Sequence, residues 1–160
     1  MRRSEQRRAA VIALYQHDLT RQSLAETLGP DARELTRSLA HAAADRAEEL
    51  DAVIESHARG WTAARIAPLE RNIMRIALIE MLHPDAVPAD DPIPPEGAID
   101  EAVESAKVFC SAEAPGFVNG ILDAILRDLR RDPAPDGPGP PPPDPGAAAP
   151  PAQPAGAPRA

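Results

Sequence analysis

Residues 117–126 read FVNGILDAIL and contain two conflicting signals. Asn-Gly between apolar runs is typical of a two-residue hairpin turn, because both residues tolerate positive φ. A hairpin needs strands whose apolar and polar residues alternate, whereas the apolar residues here recur at helical spacing, at Val118, Ile121, Leu122, Ile125 and Leu129. The spacing therefore predicts a helix that continues through Gly120, although glycine costs a helix roughly 1 kcal/mol relative to alanine.

Helical spacing also dominates the rest of the first 131 residues. It predicts a helix over about residues 4–20, a longer one between Pro30 and Gly60, and a very apolar one from Pro68 to Leu82. Two more follow, one over residues 99–109 and one that begins near Pro115, while the proline-rich residues 84–95 read as a loop. The sequence thus predicts an all-α domain of five to seven helices with an aliphatic, alanine-rich core.

Residues 132–160 have a different composition from the rest of the chain. They hold twelve of its twenty prolines and no large apolar side chain. Such a segment cannot build a core, so it is predicted to be a disordered Pro/Ala/Gly-rich tail with local polyproline character. Residues 1–131 are then predicted to form a single folded domain.

Deleting residues 132–160 is expected to leave the melting temperature unchanged, because a segment without apolar side chains buries no stabilising area. Calorimetry on the full chain and on a chain that ends at Arg131 makes the comparison. A fall of more than a few degrees would mean that the tail docks and that the domain boundary is wrong.

Charge is distributed unevenly along the chain. The formal net charge of −8 argues against a protein that binds polyanions over its whole surface. The first eight residues nevertheless contain only Glu5 as an acid against four arginines, Arg2, Arg3, Arg7 and Arg8. Residues 83–104 carry seven acids and no lysine or arginine. The protein is therefore predicted to have a basic end and an acidic segment.

Signatures of catalysis are weak in this sequence. The four histidines lie in four separate segments without metal-ligand spacing, and we expect no metal site and no cofactor. Cys110 has no base nearby in sequence and is predicted to be a small buried residue. An enzyme is therefore the poorer prediction. A lone cysteine and the lack of a secretory signal or membrane span favour a reducing cytoplasm.

Three segments together resemble the NusB family of bacterial transcription antitermination factors. They are ALYQ at residues 13–16, LERNIMRIALIEML at residues 69–82, and AIDEAVESAKVF followed by FVNGILDAIL between residues 98 and 126. The resemblance covers roughly residues 5–130 and implies an all-α bundle of about six to seven helices in two subdomains. It also implies a non-enzymatic protein that binds single-stranded boxA RNA together with the ribosomal protein NusE and acts on elongating RNA polymerase.

The resemblance implies which residues bind RNA. Arg2, Arg3, Arg7 and Arg8 match an arginine-rich start that contacts RNA in the family; the alternative for them is a frayed terminus that only aids solubility. Asn119, beside Gly120, either donates to RNA or belongs to a tightly packed helix pair. Phe117 is either a core residue or a platform for stacking an unpaired base.

For the protein partner, the resemblance points to Tyr15, Glu70 and Glu80. Tyr15 could instead complete the core, and Glu70 could cap the helix that Pro68 opens. Arg75, which lies among apolar residues, is expected to pair with a carboxylate inside the fold.

The sequence also departs from the family pattern. Gly116 replaces a lysine that usually precedes FVNG, and Asp100 replaces an asparagine. These changes predict weaker RNA binding or a greater dependence on the N-terminal arginines. One alternative is a helical protein–protein adaptor that has lost RNA binding. Another is the RNA-recognition domain of an rRNA cytosine methyltransferase, which would require a longer chain with a Rossmann half.

Overall fold

The computed structural model describes residues 1–88 and 92–131; the predicted tail lies outside the described residues. Within these two ranges the protein is all-helical, as predicted, with seven α-helices and no strand. Two short 3₁₀ turns lie at Ala63–Arg65 and Pro84–Ala86. The α-helices in chain order are α1 (Arg3–Thr20), α2 (Leu24–Leu28), α3 (Glu34–Asp45), α4 (Ala47–His57), α5 (Pro68–Leu82), α6 (Pro95–Phe109) and α7 (Ala114–Arg130).

The structure differs from the predicted helices at three places, and one of them is that α6 begins at Pro95, before the predicted start at residue 99. The long helix expected between Pro30 and Gly60 is broken at Arg46, whose backbone leaves the helical region at φ −113° and ψ 21°. The break lets α3 pack on α1 while α4 packs on α5 and α7. The short helix α2 was not predicted. The sequence does carry a start signal for it, since Ser23 and Glu26 form a capping box.

Helix α5 lies at the centre of the fold. It packs against α1, α3, α4, α6 and α7. Its side chains are buried almost continuously from Asn72 to Met81, which explains why the sequence of this helix is so apolar. The core around α5 is aliphatic and alanine-rich, and Phe117 is among its largest fully buried side chains.

Arg75 forms the centre of a polar cluster that links α5 to α1 and α4. Its guanidinium donates to both carboxylate oxygens of Asp51, at 2.8 and 2.7 Å, which confirms the predicted internal pairing. The same guanidinium lies 3.3 Å from Asp18 near the end of α1. Asn72 donates to Asp18 at 3.0 Å and accepts from Arg75 at 3.1 Å. This cluster attaches the C-terminal half of α1 to the first half of α5.

None of the helices in the described part of the chain combines the length and apolarity that crossing a bilayer requires.

Candidate functional site

The start of α1 presents three arginines whose charges remain available. Arg2 precedes the helix, and its side chain is 88% exposed and 4.0 Å from Glu5. Arg3 and Arg8 are half-buried, and within the described residues neither lies within ion-pair distance of an acid. The Nε of Arg8 is buried without a hydrogen-bond partner in the same part of the chain.

Arg7 and Glu80 form an ion pair in the interior. The Nε of Arg7 donates to Glu80 at 3.0 Å and its Nη2 donates to the other carboxylate oxygen at 3.0 Å, a bidentate pair. Their side chains are only 5% and 6% exposed. Arg7 also lies 4.0 Å from Glu101 of α6. This placement argues against the predicted contact of Arg7 with RNA and of Glu80 with a protein partner, because neither charge reaches the surface.

Helix α7 answers the question that the Asn-Gly pair raised. Gly120 lies inside the helix, as predicted, and a Cβ built on it or on Gly116 would meet no atom within 4 Å. Close packing against a neighbouring helix is therefore not the reason for either glycine. Asn119 is exposed on the same helix, whereas Phe117 is fully buried. The burial of Phe117 favours the core interpretation over base stacking and leaves a glycine face made of Gly116, Asn119 and Gly120.

Glu70 and Cys110 form a second polar site, near the start of α5. Glu70 is only 3% exposed and lies in the first turn of α5, and burial raises the pKa of its carboxyl despite hydrogen bonds from the backbone and Cys110. Burial and the neighbouring Glu70 charge raise the pKa of the Cys110 thiol to about 12. The thiol therefore remains protonated at neutral pH, which fits a structural residue better than a nucleophile.

Tyr15, the other residue predicted to face the protein partner together with Glu70 and Glu80, is half-buried on α1.

Replacing Glu70 by glutamine is expected to stabilise the free protein at neutral pH. Because the folded-state pKa of Glu70 lies above its ordinary value of 4.5, folding favours the protonated carboxyl. That contribution is fully present below the ordinary pKa and is lost as pH rises through the folded-state pKa. The melting temperatures of the unmodified and Glu70→Gln proteins should match in acid. Towards neutral pH they should diverge, with the Glu70→Gln protein melting at the higher temperature. Equal melting temperatures at neutral pH would contradict the prediction.

Comparison with known proteins identifies the family. The sequence model of the NusB family matches residues 4–127. The chain belongs to the NusB family. A protein of Symbiobacterium thermophilum named "Transcription antitermination protein NusB" is 35% identical over 147 residues, which cover 81% of this chain and 92% of that protein.

Solved structures of other NusB proteins have the same fold as this NusB-family chain. NusB of T. maritima has a TM-score of 0.69 and 31% sequence identity, and the match covers 80% of this chain and 92% of that one. A chain from the crystal structure of antitermination factors NusB and NusE in complex with dsRNA has a TM-score of 0.63 and 26% identity, and the match covers 80% of this chain and 99% of that one.

Sequence reasoning missed several residues that shape the site. Glu101 accepts a hydrogen bond from Ser4 at 2.9 Å and lies near Arg7, so α6 contributes an acid beside the basic end of α1. No local pattern links α6 to α1, because these contacts are separated by more than 90 residues.

The inward position of Arg7 did have a signal in the sequence. Arg7, Val11 and Leu14 follow the i, i+4, i+7 spacing of one helix face, and all three are buried.

Proposed function

We propose that this NusB-family protein binds single-stranded boxA-type RNA together with the ribosomal protein NusE and so supports processive transcription of rRNA operons by RNA polymerase. It acts by binding, without catalysis and without a cofactor, in the cytoplasm. The proposal rests on one observation: the chain is similar over most of its length to a named transcription antitermination protein and to a NusB chain crystallised with NusE and RNA.

The RNA-binding residues in this proposal are Arg2, Arg3, Arg8 and Asn119. Arg2 is exposed, and Arg3 and Arg8 are half-buried with no acid within ion-pair distance in the described residues, which leaves their charges for phosphates. Asn119 lies on the glycine face, where the missing side chains of Gly116 and Gly120 leave the helix backbone accessible to an RNA strand. Arg7 and Phe117 support this surface from within rather than contacting RNA.

A salt titration tests the arginines. Each phosphate contact on a single strand contributes about 0.7 to the slope of log affinity against log salt. The double substitution Arg2→Gln with Arg3→Gln should therefore weaken binding to boxA RNA and reduce the slope by about 1.4. It should weaken binding to a uridine homopolymer of equal length in the same way, because phosphate contacts carry no sequence information.

Arg59 and Arg65, two exposed arginines that precede α5 in sequence, provide a matched control pair. Neither lies within ion-pair distance of an acid in the described structure. Replacing both by glutamine removes two positive charges, as the Arg2/Arg3 substitution does. The control variant should keep the slope of the unmodified protein. If the Arg2/Arg3 variant binds like the unmodified protein at every salt concentration, the adaptor alternative becomes the better account.

The glycine face provides a second arm of the same titration. Gly120→Ala should stabilise the free protein by up to about 1 kcal/mol, because alanine favours the helix and meets no neighbour. If RNA approaches this face closely, the same substitution should weaken RNA binding. Opposite signs for stability and affinity would separate a binding surface from a simple defect of the helix, whereas unchanged RNA affinity would remove the glycine face from the interface.

Tyr15 is proposed to contact NusE, and the buried Glu70 is proposed to shape that surface from within. Glu70 keeps a carboxylate in a buried position where its charge is unfavourable, and such perturbed groups concentrate at functional sites. Glu70→Gln preserves the shape of the side chain and is expected to weaken NusE binding while RNA binding by the free protein stays the same. Calorimetric titration with NusE makes the measurement, and unchanged affinity would leave Glu70 with a structural role in the first turn of α5.

A further inference from the structure

Helix α3 carries two arginines that none of the assignments above uses. Arg33 immediately precedes α3 and Arg37 follows one turn later, and both side chains are exposed. Arg33 is the N-cap residue and Arg37 lies in the first turn, so both arginines belong to the start of α3. Within the described residues neither arginine lies within ion-pair distance of an acid. Nothing inside the fold requires these two charges.

The start of α3 lies directly beside the start of α1. The hydroxyl of Thr36, which lies between the two arginines in sequence, donates to the backbone carbonyl of Gln6 at 2.9 Å. Arg33 and Met1 line the same surface cleft of about 550 Å³ between α1, α2 and α3. Arg3 and Leu35 line another depression at the same crossing. The α3 arginines therefore extend the basic end of α1 across a neighbouring helix.

The charge balance of this region is opposite to that of the whole chain. The chain has 25 acids against 17 lysines and arginines. The exposed or half-buried acids around the starts of α1 and α3 are four, against five arginines and the terminal amine: Glu5, Asp31, Glu34 and Glu101 against Arg2, Arg3, Arg8, Arg33 and Arg37. Glu5 accepts from the backbone N–H of Arg2 at 2.8 Å, so part of its charge is already used in capping α1. The result is a locally positive surface on an acidic protein, the pattern that attracts a phosphate backbone.

We propose that Arg33 and Arg37 form a second phosphate-binding arm, along which the RNA strand continues from the N-terminal arginines onto α3. This inference rests on the proposed RNA-binding function and adds a direction to the path of the strand. The arm contributes affinity for any single-stranded RNA and no sequence preference, since arginines that contact phosphates position the strand without reading its bases.

The test replaces both residues, Arg33→Gln with Arg37→Gln, in the full chain. The probes are a boxA-type RNA of about sixteen nucleotides, at the upper end of single-strand site sizes, and a uridine homopolymer of the same length. We expect weaker binding to both RNAs, by the same factor, and a slope of log affinity against log salt that is lower by about 1.4. The melting temperature should stay the same, because both side chains are exposed and lack acidic partners in the described structure.

The control variant Arg59→Gln with Arg65→Gln separates a local arm from a general effect of charge. If the control weakens RNA binding as much as the α3 variant, net charge is responsible and the arm is overturned. The arm is also overturned if the α3 variant keeps the slope and affinity of the unmodified protein while the Arg2/Arg3 variant shows a lower slope and weaker binding. If the Arg2/Arg3 variant and the α3 variant both bind normally, the proposed RNA-binding surface itself fails, so the two failures are distinguishable.

Discussion

Replacing Arg7 by methionine is expected to lower the free energy of unfolding by about 3–5 kcal/mol, one of the two largest effects predicted for this protein. The substitution keeps most of the apolar volume but leaves the Glu80 carboxylate buried without its bidentate partner. Glu101, 4.0 Å from the same guanidinium, loses a favourable neighbour as well. Urea denaturation of the two proteins makes the measurement, and a cost below about 1 kcal/mol, typical of exposed ion pairs, would contradict the buried geometry.

A second substitution turns this experiment into a test of function. Changing Glu80 to leucine in the Arg7→Met protein removes the stranded carboxylate, and buried ion pairs replaced by apolar side chains often leave stability similar or higher. The doubly substituted protein should therefore recover most of the lost stability. It should also keep the salt dependence of RNA binding if Arg7 is structural. A slope lower by about 0.7 in the restored protein would return Arg7 to the RNA-binding residues.

Replacing Arg75 by methionine is expected to cost about 3 kcal/mol, at the lower end of the range for buried pairs, because its acidic partners retain some contact with water. The side chain of Arg75 is 9% exposed, whereas those of Asp51 and Asp18 are 25% and 22% exposed. Without Arg75, the two carboxylates and the amide of Asn72 lose their shared donor.

The same change at exposed Arg59 is the control for Arg75 and should alter stability by less than about 0.5 kcal/mol. Both variants are compared by urea denaturation at neutral pH. Similar costs at the two positions would mean that the Arg75 cluster contributes little, in the way that solvent-exposed ion pairs do.

The sequence was sufficient to predict the helices wherever apolar spacing persisted for several turns. Helix α7 is the clearest example, since the spacing of Val118, Ile121 and Leu122 outweighed the turn signal of Asn119 and Gly120. Helix α2 escaped prediction because five residues contain little more than one turn of any pattern. The break at Arg46 was also missed, because neither glycine nor proline marks it and the change of direction serves packing against α5 and α7.

The candidate site was less predictable because its decisive contacts are distant in sequence. Arg75 could be assigned an internal partner from its apolar neighbours, but Asp51 and Asp18 lie 24 and 57 residues away. Among the arginines of α1, the sequence identified a basic cluster without separating Arg7 from Arg3 and Arg8. The spacing of Arg7, Val11 and Leu14 could have separated Arg7 from the others, but its partner Glu80, 73 residues away, only becomes visible in the fold.

The two ion-pair clusters on α5 have a mechanical consequence. Arg7–Glu80 and Asp18–Arg75 join the antiparallel helices α1 and α5 at two points, and the α1 members of the two pairs are about 16 Å apart along the helix. A one-turn slide of either helix would strand the buried charges of Arg7 and Glu80 and would separate Asp18 from Arg75. Helix α1 therefore behaves as a rigid strut between its arginine end and the end near Asp18. A ligand docked near Asp18 would therefore not act on the arginine end by sliding this helix.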